Sequence, residues 1–303
     1  MNYTTWNHEL QFFEYLRVAN PKMPQVLFKS LVGLGEHEVT KTQVITLDLS
    51  KNLETDYRAT SPNCLANFVY IQKDESILTN ANSTSHLFVV IRGKGKTKTS
   101  FGDVQWSKGD VITVPYCEEI THLATENAML YWVNDEPLLN YLGVKPNRAI
   151  FAPTRYPYEI LLAEAAKTDH DPAARTRNRN GILIANPACP LTHTITPVLW
   201  SLYNTIHPGQ VQPPHKHNSV ALDLCLTASP GVYTLMGEKL DDKGCILNPQ
   251  RADWAPGCMF VTPPGWWHSH HNESNDDAVV FPVQDAGLQT YMRTLDIQFA
   301  GGA

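Results

Sequence analysis

Short apolar or alternating runs recur along most of the chain, at 87–92, 111–114, 129–133, 198–203, 259–262 and 279–283. Each is bounded by Gly, Pro, Asn or Asp. Runs of this length, evenly spaced and closed by turn residues, predict an all-β fold built as a sandwich or barrel. Two stretches have helical character instead. Positions 9–18 place Leu10, Phe13 and Leu16 at helical spacing, with Pro21 beyond the end. Positions 158–167 are rich in Leu, Ala and Glu and follow Pro157. The second stretch lies between two β-rich halves and is expected to bridge them.

The halves repeat each other. The run from Ala128 through Tyr131, Val133, Asp135 and Leu138 to Tyr141 matches Ala278, Phe281, Val283, Asp285, Leu288 and Tyr291 at an offset of 150 residues (128 to 278). Just upstream, Gly109 to Pro115 matches Gly257 to Pro263 at an offset of 148 residues (109 to 257). A two-residue change of offset is an ordinary loop change, so the chain reads as a duplicated β-domain. The expected division is a first β-domain with a helical leader over 1–150, a helical linker over 151–190 and a second β-domain over 191–303.

Composition narrows the function classes. The 303 residues are 43% hydrophobic and 18% charged, with a formal net charge of -6. That balance offers no global basic field to recruit nucleic acid. No apolar run approaches the roughly 20 residues that span a bilayer, and no signal peptide is visible at the start, so the expected location is the cytoplasm. Cys64, Cys117, Cys189, Cys225, Cys245 and Cys258 are scattered and form no C-x-x-C pair. They read as buried or free thiols in a reducing compartment. The run Arg175, Arg177 and Arg179 reads as a solvated linker, and Gly93 with Gly95 as a β-turn.

The candidate chemistry lies in the second half. His215 and His217 are one residue apart, and side chains two positions apart in a strand share a face. About fifty residues later His268 follows a Pro263–Gly265 turn. Two imidazoles from one strand and a third from another make a three-nitrogen metal site with open positions. Imidazole suits iron, zinc, copper and nickel. Counting along the strand from His217, Asp223 keeps the same face and is a candidate catalytic residue, as a substrate contact or a ligand. His270 is a candidate catalytic contact; His271 reads as structural or exposed. Trp267, Tyr233 and Trp254 are candidate pocket-lining residues.

These residues carry a resemblance to the cupins. That family is marked by a glycine, an H-x-H pair, a glutamate and a second glycine, and later by a glycine, a P-x-G turn, a histidine and an asparagine. Gly257, Pro263, Gly265, His268 and Asn272 match the later signature throughout. Gly209, His215 and His217 match the earlier one, but Val220 or Ala221 stands at its glutamate. The resemblance implies two tandem jelly-roll β-barrels, a bicupin, with a few flanking helices. In the first half Asn80 and Asn82 align with the H-x-H pair and His86 with the glutamate, and His122 remains. The resemblance therefore implies a first barrel that has lost its metal site.

Within the cupins the second half is similar to the gentisate 1,2-dioxygenase group, which includes salicylate dioxygenases. Its signatures correspond to Pro213, His215, His217 and Leu222, and to Thr262, Pro263, Trp267, His268, His270 and Asn272. The resemblance implies a three-histidine Fe(II) site, with Mn, Ni, Cu or Zn as alternatives, and oxidative ring cleavage of a hydroxylated or amino-substituted aromatic with O2. It further implies a homo-oligomer, dimer or tetramer. Three departures stand out. The group's arginine after the conserved leucine, which helps hold the substrate carboxylate, is Asp223 here. The intact site is in the second barrel, where the group usually uses the first. Gln284 and Asp285 stand in an altered acidic segment. The alternatives are a non-oxidative metal-dependent isomerase, lyase or decarboxylase, and a non-catalytic ligand-binding protein.

Overall fold

The computed structural model describes residues 10–31, 40–171 and 178–301. The leader supplies α1 (Tyr15–Val18) and β1 (Lys29–Leu31). The first barrel follows with β2 (Gln43–Thr46), α2 (Ser50–Leu53), β3 (Leu65–Ile71), β4 (Ser76–Leu78), β5 (Ser85–Arg92), β6 (Lys94–Thr99), β7 (Gly102–Ser107), β8 (Val111–Pro115), β9 (Thr121–Ala124), β10 (Ala128–Asn134) and α3 (Glu136–Leu142). The connection carries β11 (Thr154–Tyr156), α4 (Tyr158–Asp169) and β12 (Gly181–Leu183). The second barrel comprises β13 (Trp200–Ile206), β14 (Val211–His217), β15 (Ala221–Thr227), β16 (Val232–Gly237), β17 (Gln250–Asp253), β18 (Met259–Thr262), β19 (Trp267–Asn272), β20 (Ala278–Gln284), α5 (Ala286–Met292) and β21 (Ile297–Phe299).

The two large sheets have matching orders, β11-β8-β5-β10-β3-β2 and β1-β18-β15-β20-β13-β12. The smaller sheets, β4-β9-β6-β7 and β17-β16-β19-β14-β21, close each barrel. The duplication seen in the sequence is therefore one of topology, and the architecture is two tandem cupin jelly rolls. One exchange crosses between them. The leader strand β1 pairs with β18 of the second barrel, while β11, from the connection, takes the corresponding edge beside β8 of the first.

Burial on both faces explains why the central strands read as continuous apolar runs. In β10, Tyr131 and Val133 point outward into a core shared with Leu222, Met259, Phe281 and Val283 of the second barrel. The alternate residues Leu130 and Trp132 point inward, with Phe88, Val90 and Ile112. The interior of the second barrel holds Ile206, Met236, Trp254 and Phe260. The Tyr131 hydroxyl donates to the Leu222 carbonyl across the barrel interface. Helix α4 adds Leu161 and Ala165 to the shared core.

Several local expectations are corrected. The leader helix covers only Tyr15–Val18, because the Glu14 carboxylate caps it through the Leu16 and Arg17 amides. Glu9 lies outside the described residues, and Leu10, Phe13 and Leu16 are exposed with no apolar surface covering them. Gly93 alone turns the chain, at φ 87°. Gly95 instead lies within β6, where a Cβ would come within 2.1 Å of the Leu123 carbonyl oxygen. The cysteines are thiols without disulfides, and only Cys245 is exposed. No helix among the described residues is long and apolar enough to cross a membrane.

Candidate metal centre

Strands β14 and β19 run antiparallel with His215 opposite His268. His217 lies two residues along β14 on the same face. The ring centroids of His215 are 4.1 Å from His268 and 5.4 Å from His217, and those of His217 and His268 are 5.0 Å apart. One nitrogen from each of the three lies within 4.8 Å of the others. The turn through Gly265, at φ 78°, brings β18 round into β19, and the Gly265 amide donates to the His217 carbonyl.

The surroundings fix two of the rings. His217 Nδ1 lies 2.9 Å from the Ser219 carbonyl oxygen and 3.0 Å from Ser219 Oγ. Ser219 Oγ in turn donates to Gln284 Oε1. His268 Nδ1 lies 3.1 Å from the Trp266 carbonyl oxygen. A histidine that spends Nδ1–H on a carbonyl presents a bare Nε2, which is how imidazole ligates metals. His217 Nε2 is buried with no hydrogen-bond partner among the described residues. Burial holds the His217 pKa down at about 4. Burial, followed by the crowding of the other imidazoles and Arg179 against any added charge, pushes His215 and His268 well below the ordinary value. All three are therefore neutral at pH 7, His217 and His268 with Nε2 bare, and the orphaned nitrogen and the three-imidazole set fit a divalent transition metal.

The three rings open onto a cavity of about 220 Å³. That is below the roughly 300–1,000 Å³ of drug-sized pockets and suits a single-ring molecule. Trp200, Leu202, Val280 and Phe299 give it an apolar wall. Asp223 reaches it from β15, and Thr262 Oγ1 donates to Asp223 Oδ2 at 2.6 Å. Burial pushes the Asp223 pKa up to about 7, partly offset by Thr262 and Arg179. His270, on β19 beside His268, also faces the cavity.

Arg179 is the residue that sequence reasoning missed. It was expected in a solvated linker, yet it lines the cavity, and its Nη2 contacts His215 Nδ1. Burial lowers its pKa to about 9, opposed by the charge of Asp223. Arg175 and Arg177 lie outside the described residues. A signal for Arg179 was its place two residues before β12, which pairs with β13 in the barrel wall.

Three aromatic candidates are placed differently from expectation. Trp267 alternates with the inward His268 and His270 on β19, so it faces outward, where the Lys216 ammonium sits 4.9 Å above its ring. Tyr233 also points outward. It stacks on His271 at 4.7 Å, carries the Arg251 guanidinium at 3.6 Å and donates to Glu273. Trp254 is inside the barrel but behind His270, its indole spent on Thr234. None of the three lines the cavity. In the first barrel, strand pairing places Thr79, and not Asn80, beside Ile120, the position corresponding to His268.

No protein-family model matches the chain. Among curated proteins, gentisate 1,2 dioxygenase 1 of Aquipseudomonas alcaligenes is 25% identical over 166 residues, 54% of this chain and 43% of that protein. The 5-aminosalicylate 1,2-dioxygenase of Comamonas sp is 29% identical over 99 residues, 32% of this chain and 26% of that protein. The 5-nitrosalicylic acid 1,2-dioxygenase of Bradyrhizobium sp is 27% identical over 148 residues, 47% of this chain and 64% of that protein. Each match covers less than two thirds of the relative's length. The crystal structure of salicylate 1,2-dioxygenase from Pseudoaminobacter salicylatoxidans with gentisate superposes with a TM-score of 0.71 at 14% identity, over 94% of this chain and 89% of that one. A cupin 2 conserved barrel domain protein from Leptotrichia buccalis gives a TM-score of 0.52 at 13% identity, over 84% of this chain and 95% of that one. The chain thus has the bicupin fold and is similar to gentisate and salicylate dioxygenases.

Proposed function

We propose that the second barrel is the active site of a non-haem Fe(II) dioxygenase that cleaves the ring of a small aromatic acid bearing hydroxyl or amino substituents. The observation that carries this reading is the convergence of three neutral imidazoles, Arg179 and Asp223 on one cavity of single-ring size. Neutral ligands leave the charge of a divalent ion uncancelled, and Arg179 adds a further positive charge beside it. Asp223 offsets at most one of these charges, and the buried excess of about two to three that remains is costly unless a further anion shares the site. An acidic substrate meets that demand; the similarity to gentisate and salicylate dioxygenases points the same way.

A bound Fe(II) would supply Lewis acidity and electrons for dioxygen chemistry, with His215, His217 and His268 holding it. Arg179 spends Nη1 on the Asn178 and Pro213 carbonyls, and its remaining N–H groups would donate to a substrate carboxylate, the group for which guanidinium is best shaped. The resemblance puts the gentisate dioxygenase group's carboxylate-holding arginine at the position of Asp223, so here the charge would come from the connection between barrels instead. Asp223 has Oδ2 occupied by Thr262, so Oδ1 remains to accept from an amino or hydroxyl substituent. With its pKa near 7, Asp223 also holds a proton at that atom on the acid side of neutrality and releases it on the basic side. Trp200, Leu202 and Phe299 cover the faces of the ring and exclude water.

Oxygen uptake by the anaerobically Fe(II)-loaded protein, with hydroxylated and amino-substituted benzoates, tests the reading. Turnover is expected with at least one of them; iron-loaded protein that consumes no oxygen across the panel overturns it. Asp223→Asn is expected to shift the preference among amino and hydroxyl substrates by about tenfold while leaving bound iron unchanged. A homodimer or tetramer in the cytoplasm belongs to the same reading, and light scattering tests the assembly.

A further inference from the structure

The metal-bearing barrel contains a fourth buried imidazole, His270, and the duplication supplies a means of assigning its proton. In the second barrel the Trp254 indole N–H donates to Thr234 Oγ1 at 2.9 Å, and Thr234 Oγ1 lies 2.8 Å from His270 Nδ1. In the first barrel the Trp106 indole donates to Thr97 Oγ1 at 3.0 Å, and Thr97 Oγ1 lies 2.7 Å from His122 Nδ1. The two units occupy the same strands of the repeat, with Thr97 opposite His122 and Thr234 opposite His270. His122 therefore corresponds to His270.

The direction of each bond follows from counting protons. Thr234 is fully buried. Its oxygen already accepts from Trp254, and among the described residues its only other polar partner is His270 Nδ1. Were His270 to donate from Nδ1, the Thr234 hydroxyl proton would be buried without an acceptor, which is strongly disfavoured. Thr234 therefore donates to Nδ1, and the ring proton resides on Nε2. The first barrel shows where such a proton goes. There His122 Nε2 lies 3.0 Å from Thr79 Oγ1, whose own hydroxyl donates to the Ile120 carbonyl. The chain Trp106, Thr97, His122, Thr79 satisfies every proton only if His122 carries its hydrogen on Nε2. In the second barrel the position of Thr79 is taken by His215, a metal-ligand candidate, so the Nε2 hydrogen of His270 is left to the cavity.

We propose that Trp254 and Thr234 are positioning residues that hold His270 as its Nε2–H tautomer, so that it meets the cavity as a neutral hydrogen-bond donor to an anionic oxygen of the ligand, neither a base nor a fourth metal ligand. The inference rests on the cavity being a ligand site, as proposed above, and accounts for why four neighbouring imidazoles would leave one out of the metal's coordination.

Histidine-selective ¹⁵N labelling of the zinc-loaded protein, with long-range ¹H–¹⁵N correlation, reads the tautomer directly, His270 being assigned by its loss in His270→Asn. The expected spectrum has His270 protonated at Nε2 and bare at Nδ1, in about tenfold or greater excess. Thr234→Val should shift His270 toward the other tautomer and weaken salicylate binding by about tenfold, with Thr234→Ser restoring both. Thr97→Val should change the His122 signal and leave salicylate affinity as it was. A His270 protonated at Nδ1 in the wild type, or a tautomer and affinity indifferent to Thr234→Val, overturns the proposal. The spectrum is independent of oxygen consumption, so an inactive enzyme with His270 correctly protonated counts against the dioxygenase reading alone.

Discussion

In the middle of the second barrel Ala221, Asp223 and Pro282 stand where strand pairing puts His86, Phe88 and Trp132 in the first. In the first barrel those three rings stack on one another, with centroids 5.7 to 6.3 Å apart, and the Trp132 indole N–H reaches His86 Nδ1. They occupy the space that the second barrel keeps as its cavity. The positions of His215 and His268 become Thr79 and Ile120. Yet both barrels keep the tryptophan–threonine–histidine unit, and both keep an aspartate at the end of the last long strand. Asp135 accepts from the Thr84 and Ser85 amides, and Asp285 from the Val220 amide and the Asn63 side chain. What the barrels share supports the scaffold; what they do not share is the histidine cluster and its cavity. Where the second barrel sets three histidines around a cavity, the first fills the same space with aromatic side chains.

The sharpest test of that contrast removes a ligand. His268→Ala should weaken metal binding by about a thousandfold, taking roughly a third of the 10–16 kcal/mol typical of zinc-peptide sites; metal analysis after dialysis measures it. Ile120→Ala, at the corresponding position, should leave metal content unchanged. Next, Trp132→Ala should destabilise the protein by about 3–5 kcal/mol in urea unfolding, because it empties a packed interior. It too should spare metal binding.

Acid should act through the first barrel as well. His86 and His122 face Phe88, Trp132, Thr79 and Thr97, and burial holds the pKa of each at about 3. Unfolded, each titrates near 6.5. Below about pH 6.5 the unfolded chain therefore takes up protons that the fold refuses. Their contribution to stability is complete above that pH and declines down to about pH 3. The limiting slope is about 1.4 kcal/mol per pH unit for each histidine. Urea midpoints at pH 7 and 5 should show the decline, and His86→Phe should flatten it. The smallest effect is expected from Ser219→Ala, which cuts the link from Gln284 to His217 and should cost about tenfold in metal affinity.

The duplication, the strand pattern and the three-histidine cluster were legible because each is local or repeats at a fixed spacing. His215 and His217 share a face by the period of a strand, and the Gly265 turn announces the return to His268. Arg179 was not legible, because a polar stretch without periodicity looks the same whether it is solvated or folded over a cavity. Tyr233 and Trp267 were misplaced for a different reason. Apolar bulk suggests an interior, but alternation along β16 and β19 sends both outward, where Arg251 and Lys216 cover their faces. The leader helix was overestimated because helical spacing stabilises little without a surface to bury against.

The exchange of edge strands ties distant parts of the chain together. Lys29, Ser30 and Leu31 are the neighbours of Val261, Phe260 and Met259, the residues that lead into the turn before His268. Cleaving the leader would bare a row of backbone amides and carbonyls more than two hundred positions away in sequence. An open, flat, apolar border of that kind invites other molecules to add themselves to it, so a cut before β1 should be felt in the second barrel as clumping and a loosened histidine cluster.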